Sequence, residues 1–225
     1  MNLQDVFDNW QLETSDNIDL GLRLQSERLA LTPTLFFAKH HDLLAVAYDP
    51  RVGLNYHQNV GGATAWGAEL LASLQITPSL SAFVYPTYLH FTFDDDLSRT
   101  SAGRVEDLSI AGKQVPDTPA WMLRTGLLFE QGPWRAAPLL RYVGPRYADP
   151  QNTQSVDGYW TLDLTASWTT GDLGVLQGVR VGLELSNLFN EAYIGAIDAQ
   201  DDGSGTVGFY PGPPRSLVLS LAATF

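Results

Sequence analysis

"GFYPGPPRSLVLSLAATF", residues 208–225, closes the chain on a strict two-residue period. Phe225, Ala223, Leu221, Leu219 and Leu217 form one set; Thr224, Ala222, Ser220, Val218 and Ser216 form the other. Successive side chains of a strand point to opposite faces, so one face here is wholly apolar and the other small or polar. A soluble sandwich can present such a face, but its last strand usually runs on into a polar tail. In this sequence nothing follows Phe225.

Composition narrows the classes. A length of 225 residues suffices for a sizeable core or one large all-β domain. The formal net charge of −12 argues against nucleic acid, whose phosphates call for basic patches. Zero cysteines exclude a disulfide framework and thiolate metal sites. There is no apolar run of about 18 residues, hence no transmembrane helix. The opening "MNLQDVFDNW" has neither a basic start nor an apolar stretch, so no signal peptide is expected.

Outward from the closing segment, the same alternation recurs. It predicts strands at 17–25, 29–39, 62–74, 79–93, 119–130, 134–146, 157–170, 178–189 and 214–225. Short turns at "SER" (26–28), "QITPS" (75–79) and "QGP" (131–133), with a longer "GDLGVLQG" (171–178), share one end. Long loops at 40–61, 94–118, 147–156 and 190–213 share the other. Short turns on one rim and long loops on the other describe an antiparallel up-and-down barrel of the outer-membrane kind.

Aromatic spacing supports a membrane wall. Trp160 and Trp168, Trp121 and Phe129, and Trp134 and Tyr142 are same-face pairs eight residues apart. Eight steps of about 3.4 Å, tilted by roughly 40°, climb about 21 Å, close to the apolar band of about 25 Å between aromatic girdles. The opposite face carries Asp19, Arg23, Arg124, Arg135, Arg141, Arg180 and Glu184, which then look into a lumen. Arg124 and Arg141 in the lumen and His57 in the first long loop are the candidate ligand contacts.

These segments resemble the C-terminal part of the barrel of TonB-dependent outer-membrane receptors. The most specific are "NLFNEAYIG" (187–195), then "PGPPR" (211–215) and the terminal Phe225. Supporting ones are "NVGGATAWGAEL" (59–70), "VPDTPAWMLRTGLLFEQGPWRAAPLLRYVGPRYAD" (115–149) and "VDGYWTLDLTASW" (156–168). The resemblance implies uptake of a scarce nutrient, typically a ferric siderophore, across the bacterial outer membrane. It also implies energy from the TonB complex acting on a plug domain. That plug and the first barrel strands precede this segment in the family, so residues 1–225 are expected to be about nine C-terminal strands of a larger plugged barrel. Further implied partners are outer-membrane lipid, lipopolysaccharide and the barrel assembly machinery, which reads Leu221, Ala223 and Phe225. Ser220 departs from the glycine often found there in the family. Asn187 and Asn190 are expected to shape the outer end of a strand.

Other motifs carry less chemistry. His40, His41 and His57 cluster around one loop, and imidazole binds transition metals, but no regular spacing supports a closed metal site. "FDDDLSRTSAGRVEDL" (93–108) reads as a solvated acidic loop, and Gly-rich "DAQDDGSGTVG" (198–208) lacks the strand-to-helix context of a phosphate cradle. No nucleophile or paired-carboxylate arrangement points to an enzyme, and no cofactor is implied. Two alternatives remain: a small self-contained outer-membrane barrel, structural or porin-like, and a lipocalin-like binder with its apolar face turned inward. Pro33, Pro86 and Pro138 fall in mid-strand, where a missing N–H calls for a bulge or a local break.

Overall fold

The computed structural model describes residues 11–49, 54–59, 61–101, 104–171, 174–199 and 207–224. All pairing is antiparallel, and no helix occurs among the described residues. Nine strands form one wall, each bonded to the next in chain order. They are β1 (Thr14–Gly21), β2 (Leu29–His41), β3 (Ala63–Thr77), β4 (Leu80–Phe93), β5 (Trp121–Gln131), β6 (Trp134–Val143), β7 (Tyr159–Thr169), β8 (Gly178–Ser186) and β9 (Ser216–Thr224). Leu24–Gln25 prolongs β1 in unchanged register against β2. The wall is a partial barrel, with β1 and β9 as its free edges among the described residues.

The turns explain the meander. Between β1 and β2 the Ser26 amide donates to the Leu29 carbonyl at 2.8 Å, and the Leu29 amide donates to the Ser26 hydroxyl at 3.1 Å. Pro78 and Ser79 alone separate β3 from β4. Gly132, with φ +57°, turns β5 into β6 in a region where only glycine avoids a steric penalty.

Register carries the two faces round the wall. Trp121 lies opposite Tyr88 and Trp134 opposite Trp168, whereas Tyr85, Arg124, Arg141 and Thr161 follow one another across the opposite face. Trp66, Tyr88 and Trp121 form a continuous aromatic row near the long-loop end, at 5.5 and 4.9 Å between ring centroids. Tyr142 stacks on Trp160 at 4.4 Å in the same row, and Trp134 meets Trp168 at 6.3 Å near the short-turn end. The four tryptophans 66, 121, 134 and 160 are 46–59% exposed and the leucines of β9 58–76%, so the apolar face looks away from the concave side. That orientation excludes the lipocalin-like alternative.

On the concave face two phenylalanine rings lie across glycines. A Cβ on Gly67 would sit 2.4 Å from the Phe36 ring, and one on Gly126 would sit 2.8 Å from the Phe83 ring. Glycine provides the space, and the ring covers backbone that would otherwise be bare.

The three prolines break the ladder on one side without a bulge. Pairing of β2 with β3, β4 with β5 and β6 with β7 runs unshifted through Pro33, Pro86 and Pro138. Towards the preceding strand each ladder lapses at the proline, and it resumes in the same register. In an antiparallel strand a residue's N–H and C=O face the same neighbour, so a missing donor disturbs one side only. The register shift of the β3–β4 pair lies elsewhere, between Gln75 and Thr77.

The long loops correct the sequence reading. Each carries a two-stranded hairpin: Leu44–Asp49 with Leu54–Asn59, Leu97–Ser101 with Arg104–Leu108, Arg146–Tyr147 with Ser155–Val156, and Ile194–Ala199 with Val207–Pro211. Some of these strands, such as LSRTS at 97–101, are too polar to show an apolar period, and all are short. At the root of the second hairpin Ala63, Phe93, Leu97 and Ile110 form a buried apolar cluster.

The wall predicts a depth-dependent cost of charge. Leu164 lies mid-strand between Pro138 and Leu185, while Trp160 belongs to the outer aromatic row. Leu164→Arg should cost about 2–4 kcal/mol of folding into lipid and Trp160→Arg about 0–1 kcal/mol. Equal losses in a vesicle-folding titration would refute the girdle assignment.

Candidate functional site

The concave face brings together two of the three candidate contacts. Arg124 and Arg141 are directly opposite on β5 and β6, where like charges repel. Arg141 is neutralised by an ion pair with Asp163 on β7, whose other oxygen accepts the Asn187 amide at 2.8 Å. Arg124 makes no ion pair among the described residues, and beyond it the Tyr85 hydroxyl donates to Glu69 Oε2 at 3.0 Å. Arg124, Arg141, Asp163 and Glu184 line one concavity of about 900 Å³. A surface of this kind offers charge-assisted hydrogen bonds to whatever fills the lumen.

Among the described residues the histidines form no metal-holding cluster. His40 packs against Phe91 at 5.3 Å, His41 Nε2 lies 3.3 Å from Asp16 Oδ2, and His90 sits beside Trp66 at 5.1 Å. His57 is placed by backbone pairing opposite Val46, in the first loop hairpin, and its side chain is outside the described set. In the assembly segment Leu221 is 76% exposed on the outward face, while Phe225 falls outside the described residues.

At the rim, the motif residues tie loops to strand ends. Asn187 and Asn190 adopt positive φ, which a short amide side chain tolerates. The Asn187 side-chain amide donates to the carbonyls of Glu191 and Pro213, at 2.9 and 3.1 Å, and Asn190 Oδ1 accepts the Arg215 amide at 3.0 Å. The approach to β9 is thereby fixed to the end of β8.

An ion pair with a buried arginine grips the last hairpin. The Arg146 side chain is only 2% exposed, and its Nε bonds to Asp117. Arg146 Nη2 donates to the Ile194 carbonyl at 2.9 Å, and the second Asp117 oxygen accepts the Ile197 amide at 3.3 Å. Two loops far apart in sequence thus hold one edge of the strand Ile194–Ala199. Sequence reasoning missed this pair; its signal is a charged residue beside proline at a strand end, in "VPDTP" and "GPRY".

Beside that hairpin lies a second recess of about 910 Å³. Tyr159, on the concave side of β7, stacks on Tyr193 at 4.1 Å. A Cβ on Gly212 would sit 2.1 Å from the Tyr193 ring, so this glycine admits the ring.

Most of this wall matches a known family. Residues 7–188 fit the TonB dependent receptor-like, beta-barrel family. The chain belongs to this family of outer-membrane transport receptors. Over 181 residues this TonB-dependent receptor chain is 26% identical to the pesticin receptor of Yersinia enterocolitica, covering 80% of this chain and 25% of that protein. The chain therefore spans about a quarter of the length of the relative. The ferric yersiniabactin uptake receptor FyuA of Yersinia pestis superposes with a TM-score of 0.70 at 19% identity, over 95% of this chain and 30% of its own. The siderophore receptor PiuA of Acinetobacter baumannii gives 0.72 at 21% identity, over 93% and 28%.

The rim ion pair generates a local prediction. Asp117→Ala removes the acceptor of the Ile197 amide and strands a buried guanidinium, at a cost of about 2–4 kcal/mol. Hydrogen exchange at Ile197 should accelerate by at least about tenfold, while the amides of β6 and β7 keep their protection. Unchanged exchange at Ile197 would show that the pair does not hold the hairpin.

Proposed function

We propose that the chain forms the C-terminal portion of the barrel domain of a receptor that imports a ferric siderophore. On this reading the energy comes from the TonB complex through a plug domain supplied outside residues 1–225. The observation that carries it is the family match over residues 7–188, on a wall whose apolar face looks outward between two aromatic rows. Lipid then covers that face, lipopolysaccharide meets its long-loop end, and the assembly machinery reads the outward residues of β9. Arg124 and Arg141 are the lumen contacts, with Arg124 the more available because Asp163 already neutralises Arg141. His57 belongs to the loop set that first meets the solute. The self-contained barrel is disfavoured, because nine strands that leave two edges unpaired among the described residues do not satisfy their backbone in lipid.

The test is uptake in the producing cell. Disruption of the coding frame under iron limitation should abolish import of at least one radio-iron-labelled siderophore. Shortening loop 94–118 or loop 190–213 should weaken binding while leaving the assembled barrel intact, since these loops form the rim that a ligand meets first. Undiminished import after both changes would sink the assignment.

A further inference from the structure

The rim recess has a chemistry of its own. Its lining includes three aromatic rings, Tyr159, Tyr193 and Phe209, and two carboxylates, Asp157 and Glu191, with no basic side chain. Both carboxylates belong to exposed residues, and neither side chain takes part in an ion pair among the described residues. Phe209, 44% exposed, lines the same recess as the stacked tyrosine pair. The rim's buried cation, Arg146, is already neutralised by Asp117. Aromatic faces carry negative electrostatic potential and attract cations, and two unneutralised carboxylates add to that field. An anion entering here meets the same groups as repulsion.

We propose that this recess binds the positively charged end of an aromatic solute, with the exposed Phe209 against the ring and Asp157 and Glu191 against the cation. The proposal rests on the uptake reading and narrows it, because the rim would then admit solutes bearing a protonated or quaternary amine over polyanionic complexes.

Three probes with one ring and different charge test it on the complete receptor that contains this chain, in detergent micelles: benzyltrimethylammonium, benzyl alcohol and benzoate. Binding followed by saturation-transfer nuclear magnetic resonance should rank the cation first and benzoate last. The paired exchange Asp157→Asn with Glu191→Gln keeps size and should weaken the cation about tenfold, leaving benzyl alcohol unchanged. Phe209→Ala, at an exposed ring, should weaken cation and alcohol alike. Equal binding of cation and benzoate, no binding of any probe, or indifference of the cation to the paired exchange would each overturn the proposal. These readouts do not involve transport, so failure of the uptake assay with intact probe ranking would refute the uptake reading alone.

Discussion

Every backbone N–H and C=O that enters a bilayer must find its partner inside the protein, because hydrocarbon offers none. That constraint organises this chain more than any side-chain contact. An antiparallel ladder satisfies it with local connections, so nine strands follow one another in chain order. The ladder then forces the period of two, and the period sorts side chains into an outward apolar set and a concave polar set. Burial is inverted relative to a soluble domain: leucines and tryptophans are exposed outward, while Thr161, Ser167 and Asn187 are among the most buried residues.

The same constraint explains where charge is tolerated. Asp163 on β7 serves both Arg141 on β6 and the Asn187 amide at the end of β8. Arg180 reaches Ser167, and Arg135 pairs with Glu130 across a strand gap at 3.2 Å. Exposed pairs of this kind contribute little to stability. Their value lies in presenting a polar inner surface to whatever occupies the lumen.

The wall was legible because alternation, aromatic spacing and turn residues are local signals, and each of the nine expected strands overlaps an observed one to within a few residues at its ends. Arg124 and Arg141 could be placed on the lumen face by parity alone. The rim was not legible. Asp117 meets Arg146 across 29 residues and Ile197 across 80, and no periodic pattern encodes such a meeting. The loop hairpins escaped for a different reason: strands such as "SRTS" within 97–101 have no apolar face, so pairing rather than burial defines them. The proline expectation captured the lost donor but not its directionality, which depends on which neighbour the amide would have faced.

That directionality has a consequence for chain entropy. The three lapses lie between β1 and β2, β3 and β4, and β5 and β6, the pairs joined by the short turns. The ladders that run unbroken past these prolines join strands separated by the long loops, whose closure costs more configurational freedom. A short tether holds two arms at high effective concentration, so a missing bond there is tolerated. Each proline thus spends its deficit where covalent connection already does most of the holding, and the seams that only hydrogen bonds can close stay complete beside it.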